Sequence, residues 1–322
     1  MTQPRPRSVL FDHDGGVDDL ISLTMLLAMP HIDLVGVVVT PGDCFLQPAV
    51  SATLKILRLF NRSEIPVSAG TLYGINPFPR SWRVHPYTID ALPILNESQA
   101  PLATPLAVAG HDFLAHTLHE TASPLTVLIT GPCSNLAKTL SDEPDLVSQI
   151  EEVIWMGGAL DVPGNVRDYE HDGSAEWNVY WDPIAGQRLW QTEAPMTLFP
   201  LDATNQVPVT MELLHRLARQ RRYPLSDFVG QCYATTVGSI PQAEYLYYMW
   251  DTLSTGYLGA PSLMQFRQLY TEVVPDGNSA GRIRAVTQGG KAIRAADAVD
   301  VAAFQEYFLE LLKSPVHQAK DR

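Results

Sequence analysis

Residues 8–19, Ser-Val-Leu-Phe-Asp-His-Asp-Gly-Gly-Val-Asp-Asp, constrain the fold more than any other stretch of the chain. Val9, Leu10 and Phe11 read as a buried parallel strand, Gly15 and Gly16 supply a turn, and Leu20, Leu23, Leu26 and Leu27 then follow at helical spacing. Asp18 stands where a helix N-cap is expected. The carboxylates therefore gather at the C-terminal end of a strand, the edge at which open α/β sheets bind ligands. Asp12, Asp14, Asp18 and Asp19 repel one another, by about 1 kcal/mol per pair at ~4 Å in water and roughly four times that near a protein surface. A cation among them relieves this. Oxygen donors with no cysteine and only one histidine nearby favour a hard ion, Ca²⁺ or Mg²⁺, over zinc. Helix capping accounts for Asp18 or Asp19 singly, but not for all four acids.

Two other motifs share this outline. An EF-hand loop beginning at Asp12 needs a glutamate where Leu23 stands, so it fails. Phosphatases of the haloacid dehalogenase type also place Asp-x-Asp after an apolar strand, but with Thr or Val where Gly16 stands, which weakens that reading without removing it.

The pattern of the first stretch recurs. Residues 32–39 form a second apolar run, ending in Thr40-Pro41-Gly42-Asp43 and followed by a helical pattern over 49–60, which puts Asp43 on the same edge as the first cluster. Further strands are expected at 66–69, 125–129, 153–156 and 195–199, with helices over 135–140 and 184–191. Thr130-Gly131-Pro132 and Gly157-Gly158 close two of those strands. After the strand at 66–69, residues 70–105 form a long proline-rich loop that carries Trp82, an aromatic that turn chemistry does not need. In the stretch 173–183, Glu176 and Asn178 offer acceptors and donors at a spacing suited to vicinal hydroxyls; the bland alternative is a surface turn. Residues 211–257 read as mainly helical, with Arg216, Arg219, Arg221 and Arg222 as a solvated face and an aromatic run at 245–251. A small hairpin over 272–286 and a closing helix over 298–312 complete the chain.

With 322 residues, 46% of them apolar and 18% charged, and no repeat or linker, the chain is expected to form one large domain over 1–322. The fold class is α/β: a mainly parallel, twisted, Rossmann-like sheet covered by helices, with the active site at the C-terminal ends of the strands. A net charge of −13 argues against nucleic acid and against an anionic membrane surface. Cys44, Cys133 and Cys232 are too few for a disulfide framework and fit a reduced compartment. No long apolar segment precedes Asp12, so neither signal peptide nor anchor is expected, and the expected location is cytoplasmic.

Seven stretches, taken together, match one family: 12–19, Thr-Pro-Gly-Asp-Cys-Phe at 40–45, Asn-Pro-Phe-Pro-Arg-Ser-Trp-Arg at 76–83, Thr-Gly-Pro-Cys-Ser-Asn at 130–135, Met-Gly-Gly at 156–158, 173–183, and Tyr-Tyr-Met-Trp-Asp at 247–251. In these the chain resembles the nucleoside hydrolases, in particular the purine-preferring inosine-adenosine-guanosine type, over nearly its whole length. The resemblance implies hydrolysis of purine ribonucleosides (inosine, adenosine, guanosine) by an enzyme that is a homodimer or homotetramer. It implies Ca²⁺ held by Asp14, Asp19, Asp251 and the Thr130 carbonyl, with Asp14 also taking a proton from the attacking water and Asp12 supporting the site from behind. Asp18, Asn165, Glu176 and Asn178 would bind the ribose hydroxyls, with Met156 near the sugar. Trp82 and Trp250 would sandwich the purine, and Asp43 would face its polar edge.

The chain also departs from the family pattern. Many members carry Asn where Asp43 stands, and His where Trp250 stands, so the obvious general acid is missing here, as it is in the purine-preferring branch. Three other readings remain open: a ribonucleoside hydrolase of broader specificity, a metal-dependent phosphatase built on Asp12 and Asp14, and a non-catalytic nucleoside-binding protein.

Overall fold

The apolar runs form the middle of a nine-stranded sheet in the computed structural model, which describes residues 6–239 and 246–316. Tyr245, the first member of the aromatic run, lies outside the described residues, as do residues 1–5. The strands are β1 (Arg7–His13), β2 (Ile32–Val39), β3 (Val67–Ala69), β4 (Leu125–Ile129), β5 (Ile150–Met156), β6 (Met196–Phe199), β7 (Met264–Val273), β8 (Ile283–Ala285) and β9 (Lys291–Val299). Their spatial order is β3-β2-β1-β4-β5-β6-β9-β7-β8. From β3 to β9 all neighbours are parallel, while β7 is antiparallel to β9 and to β8. The chain winds outward from β1 through β2 to β3, then returns to β4 on the other side of β1. The crevice between the ends of β1 and β4 is thus the point where strand order reverses, the usual ligand site of such sheets.

Alternation along β1 explains the two-sided core. Val9 and Phe11 point to one face, where they join the helices Val17–Ala28, Leu46–Leu59, Pro224–Ser239 and Val301–Leu311; Leu10 points to the other, with Gly110–Glu120, Ser134–Asp142 and Pro183–Trp190. The helix Val17–Ala28 has ten buried residues, Asp18 and Asp19 among them, and packs against the helix Trp250–Gly256. That packing carries Asp251 to the end of β1. Among the described residues no helix is long and apolar enough to cross a membrane.

Several sequence expectations are corrected. The N-cap of the first helix is Gly16, not Asp18: Asp19, at the third helical position, accepts the Gly16 N–H at 2.7 Å, which leaves both acids inside the first turn. Gly15 has φ +84°, open to glycine at little cost, and a Cβ there would collide with Ala49. The helical stretch 211–257 is broken into the helices Met211–Arg219, Pro224–Ser239 and Trp250–Gly256. Residues 291–299 form a strand that the reading missed, because their alanines favour helix, whereas pairing with β6 on one side and β7 on the other satisfies the extended backbone. The expected hairpin is the end of β7 against β8, paired Thr271 to Ala285 and Val273 to Ile283. The closing helix starts at Val301, where the Asp300 side chain accepts the Ala303 N–H at 3.0 Å.

Candidate active site

The ends of β1, β2, β4 and β5 open into a cavity of about 430 Å³. Every residue proposed from the sequence lines it except Asp12. Asp12 lies behind, fully buried at the end of β1, where its carboxylate accepts from the Thr40 hydroxyl at 2.7 Å and from Asn135 Nδ2 at 3.1 Å. Burial pushes its pKa up to about 7, against the pull of those two donors. His13, next to it, accepts the Gly15 N–H on Nδ1 at 3.1 Å and lies 3.2 Å from the Thr53 hydroxyl through Nε2. Because that hydroxyl donates to the Ala49 carbonyl, Nε2 carries the hydrogen and the ring is neutral; burial lowers its pKa to about 3. It braces the acid loop from behind and does not line the cavity.

Asp14 is wedged between two backbones, since a Cβ on Gly131 would come within 2.8 Å of its own Cβ, and its Oδ2 accepts the Asp43 N–H at 2.7 Å. Asp18 accepts the Tyr247 hydroxyl on Oδ1 at 2.7 Å and the Asp251 N–H on Oδ2 at 3.2 Å. Asp19 accepts the Thr130 hydroxyl on its other oxygen. Burial first, then mutual repulsion, raises the pKa of Asp14 and Asp251 well above the usual carboxylate range and that of Asp19 to about 8. Asp43 is raised too, and its Oδ1 is buried with no hydrogen-bond partner.

No Lys or Arg is among the described residues that line the cavity. Buried carboxylates without a protein cation are a donor set of the kind that holds a hard divalent ion, so the residues fit one. They stand in a hydrogen-bonded rather than a coordinating arrangement: among the described residues no three His, Cys, Asp or Glu side chains surround one point.

On the opposite wall, Glu176 caps the short helix Trp177–Trp181 and accepts the Asn178 N–H at 3.0 Å and the Gly158 N–H at 3.0 Å. Asn178 Nδ2 donates to the Thr130 carbonyl at 2.9 Å and to the Met156 carbonyl at 3.1 Å, joining the ends of β4 and β5. Asn165 accepts the Trp177 N–H on Oδ1 at 3.1 Å. This is a buried turn of helix and not a surface turn: Glu176 is 3% exposed and Asn178 7%. Burial raises the Glu176 pKa from 4.5 to about 7 in spite of the backbone donors. An acid whose folded pKa is raised adds stability that is complete below its unfolded pKa and lost as pH climbs through the folded value. Cation-free protein is therefore expected to lose up to roughly 3 kcal/mol between pH 4.5 and 7.5 through Glu176 alone. Denaturant titration of wild type and Glu176→Gln checks this: an equal pH slope in the two would remove Glu176 as its source.

Two aromatic walls arise from distant segments. Trp82 packs with Phe78 (ring centroids 6.5 Å) and edge-on with Trp177 (5.6 Å); Trp250 meets Tyr247 (4.7 Å) and Tyr248 (5.8 Å), and its Nε1 donates to Asn205 Oδ1 at 3.0 Å. Sequence reasoning missed Phe78, Ser81, His85, Trp177, Thr236 and Tyr247 as lining residues. Phe78 sits in the same proline-rich run as Trp82, Trp177 between Glu176 and Asn178, and Tyr247 in the aromatic run just before the helix that carries Asp251, so their neighbours were the available signal.

The model of the inosine-uridine preferring nucleoside hydrolase family matches residues 9–306. The chain is 31% identical over 227 residues to the pyrimidine-specific ribonucleoside hydrolase RihA of Escherichia fergusonii, covering 69% of each chain. It is also similar to the crystal structure of an inosine-uridine preferring nucleoside hydrolase from Bacillus anthracis, with 40% identity, a TM-score of 0.91, and coverage of 96% of this chain and 100% of that one. A purine-preferring ribonucleoside hydrolase from Gardnerella vaginalis shares the fold at 23% identity and a TM-score of 0.77, over 95% of this chain and 98% of that one.

Proposed function

We propose, from the premise that this chain belongs to the inosine-uridine preferring nucleoside hydrolase family and is a ribonucleoside N-glycosidase, that its preferred substrates are purine ribonucleosides. One observation carries this reading: a hydroxyl-binding wall (Glu176, Asn178), a cluster of buried acids, and aromatic walls from two distant segments line one cavity at the sheet's switch point.

The ribose sits against Asp18, Asn165, Glu176, Asn178 and Met156. Breaking the glycosidic bond builds an oxocarbenium-like ribosyl cation, so groups that hold and polarise the sugar hydroxyls bind the transition state more tightly than the ground state. Asp14, Asp19, Asp251 and the Thr130 carbonyl are the groups that would hold Ca²⁺. When bound, a divalent cation lowers the pKa of the attacking water. Asp14 removes that water's proton, and Asp12 keeps the end of β1 in register behind it. The leaving base stacks against Trp82 and Trp250, whose electron-rich faces favour the base as it takes up a proton from solvent water, while Asp43 meets its polar edge.

The pyrimidine-specific relatives favour a second reading, a broader ribonucleoside hydrolase. Steady-state assays with inosine, adenosine, guanosine, uridine and cytidine separate the two: purines are expected to be cleaved far more efficiently, and equal efficiencies for inosine and uridine would refute the purine preference. Inclusion of p-nitrophenyl phosphate tests the phosphatase reading by phosphate release. Stacking a base on an aromatic is worth about 1 to 3 kcal/mol in nucleic-acid complexes, so Trp250→Ala is expected to lower kcat/KM for purine nucleosides by one to two decades, with less effect on pyrimidines.

A further inference from the structure

Tyr247 has no part in the chemistry described so far, yet it touches both halves of the site. Its backbone is pinned by a bridge to the segment before the helix Met211–Arg219: its carbonyl accepts the Val209 N–H at 2.8 Å, and the Met249 N–H donates to the Val207 carbonyl at 2.9 Å. Its side chain is buried, with the hydroxyl 2.7 Å from Asp18 Oδ1 and the ring edge-on to Trp250 at 4.7 Å and 69°. The other oxygen of Asp18 accepts the Asp251 N–H at 3.2 Å. Both oxygens of Asp18 are therefore held from residues 247–251, which also carry Trp250 and Asp251.

We propose that Tyr247 is a positioning residue that fixes the Asp18 carboxylate for the ribose hydroxyls and couples this sugar contact to the Trp250 wall, so that selection of ribonucleosides over deoxyribonucleosides is set through its hydroxyl. This rests on the reading of Asp18 as a ribose ligand. A terminal carboxylate torsion is broad, so a carboxylate without fixed donors samples many planes. A phenol and an amide, one on each oxygen, select one plane for the carboxylate. Hydroxyl-to-carboxylate bonds are charge-assisted and strengthen as the ribosyl cation develops, so a misoriented Asp18 lowers kcat more than it raises KM.

The test is Tyr247→Phe, which removes the hydroxyl and keeps the ring. On one preparation, kcat/KM is measured for inosine, 2′-deoxyinosine and 3′-deoxyinosine; the ratios cancel any loss of folded enzyme. Hydrogen bonds to charged groups are worth enough for about a ten- to hundredfold effect, so inosine should fall by that factor, mainly in kcat. The deoxynucleoside that lacks the hydroxyl bound by Asp18 should fall little, and the ribo-to-deoxy ratio should narrow accordingly. Asp18→Asn should narrow the same ratio, and the double variant should narrow it no further. An equal fall for all three nucleosides, or no fall, overturns the proposal and leaves Tyr247 as packing. If Asp18→Asn leaves the ratio intact, the ribose role of Asp18 fails instead. A failure of purine preference shows separately, as wild-type cleavage of uridine at least equal to that of inosine, and the Tyr247 test then runs on uridine and its deoxy analogues.

Discussion

Asp14→Asn is expected to lower turnover by roughly 10² to 10⁴, the usual cost of losing a general base, while substrate binding changes little. The amide is isosteric, so it fits the narrow slot between Gly42 and Gly131, where a Cβ on either glycine would crowd Asp14. It can still offer one oxygen to a cation and still reach the Asp43 N–H, which donates to Oδ2 in the wild type. What it cannot do is accept the water's proton. Single-turnover kinetics with inosine, paired with metal analysis of the same sample, give the answer. A loss below about tenfold, with the cation retained, would move the base elsewhere in the cavity.

Asp19→Ala should be more damaging still, because it touches the cation and the frame together. Asp19 accepts the Gly16 N–H at the start of the helix Val17–Ala28 and the Thr130 hydroxyl at the end of β4, so its loss unties the helix start from the end of β4 as well as removing a carboxylate. Cation stabilisation of developing charge is worth several kcal/mol, and turnover is expected to drop roughly a thousandfold or more. Chelation of the wild type should do the same reversibly, with activity restored by added Ca²⁺. Bound calcium measured by atomic emission should vanish in Asp19→Ala and persist in a variant at Arg216, whose side chain pairs with Glu306 on the surface. A chelated, metal-free enzyme with full activity would sink the cation's role.

The sequence by itself determined what depends on near neighbours. A strand, a glycine turn and a helix follow from the periodicity of residues 8–27, and so the position of Asp12, Asp14, Asp18 and Asp19 at a strand's C-terminal end was legible. The repetition of that unit implied the parallel sheet, and the Pro-rich run carrying Trp82 marked a loop that lines the cavity. Tertiary structure alone decided which segments meet. Asp251 lies 233 residues beyond Asp18 and reaches it only because the helix Trp250–Gly256 packs on Val17–Ala28. Tyr247 finds Asp18, and Asn178 finds the Thr130 carbonyl, through the same kind of long-range packing, which no local pattern encodes. The strand Lys291–Val299 is the converse case: its alanines prefer helix locally, and the backbone hydrogen bonds supplied by strands on both sides outweigh a preference of a few tenths of a kcal/mol per residue. The N-cap moved from Asp18 to Gly16 for a related reason. A carboxylate turned toward a cluster of other acids is not free to cap its own helix, so the glycine takes that position and Asp19 reaches back to its amide.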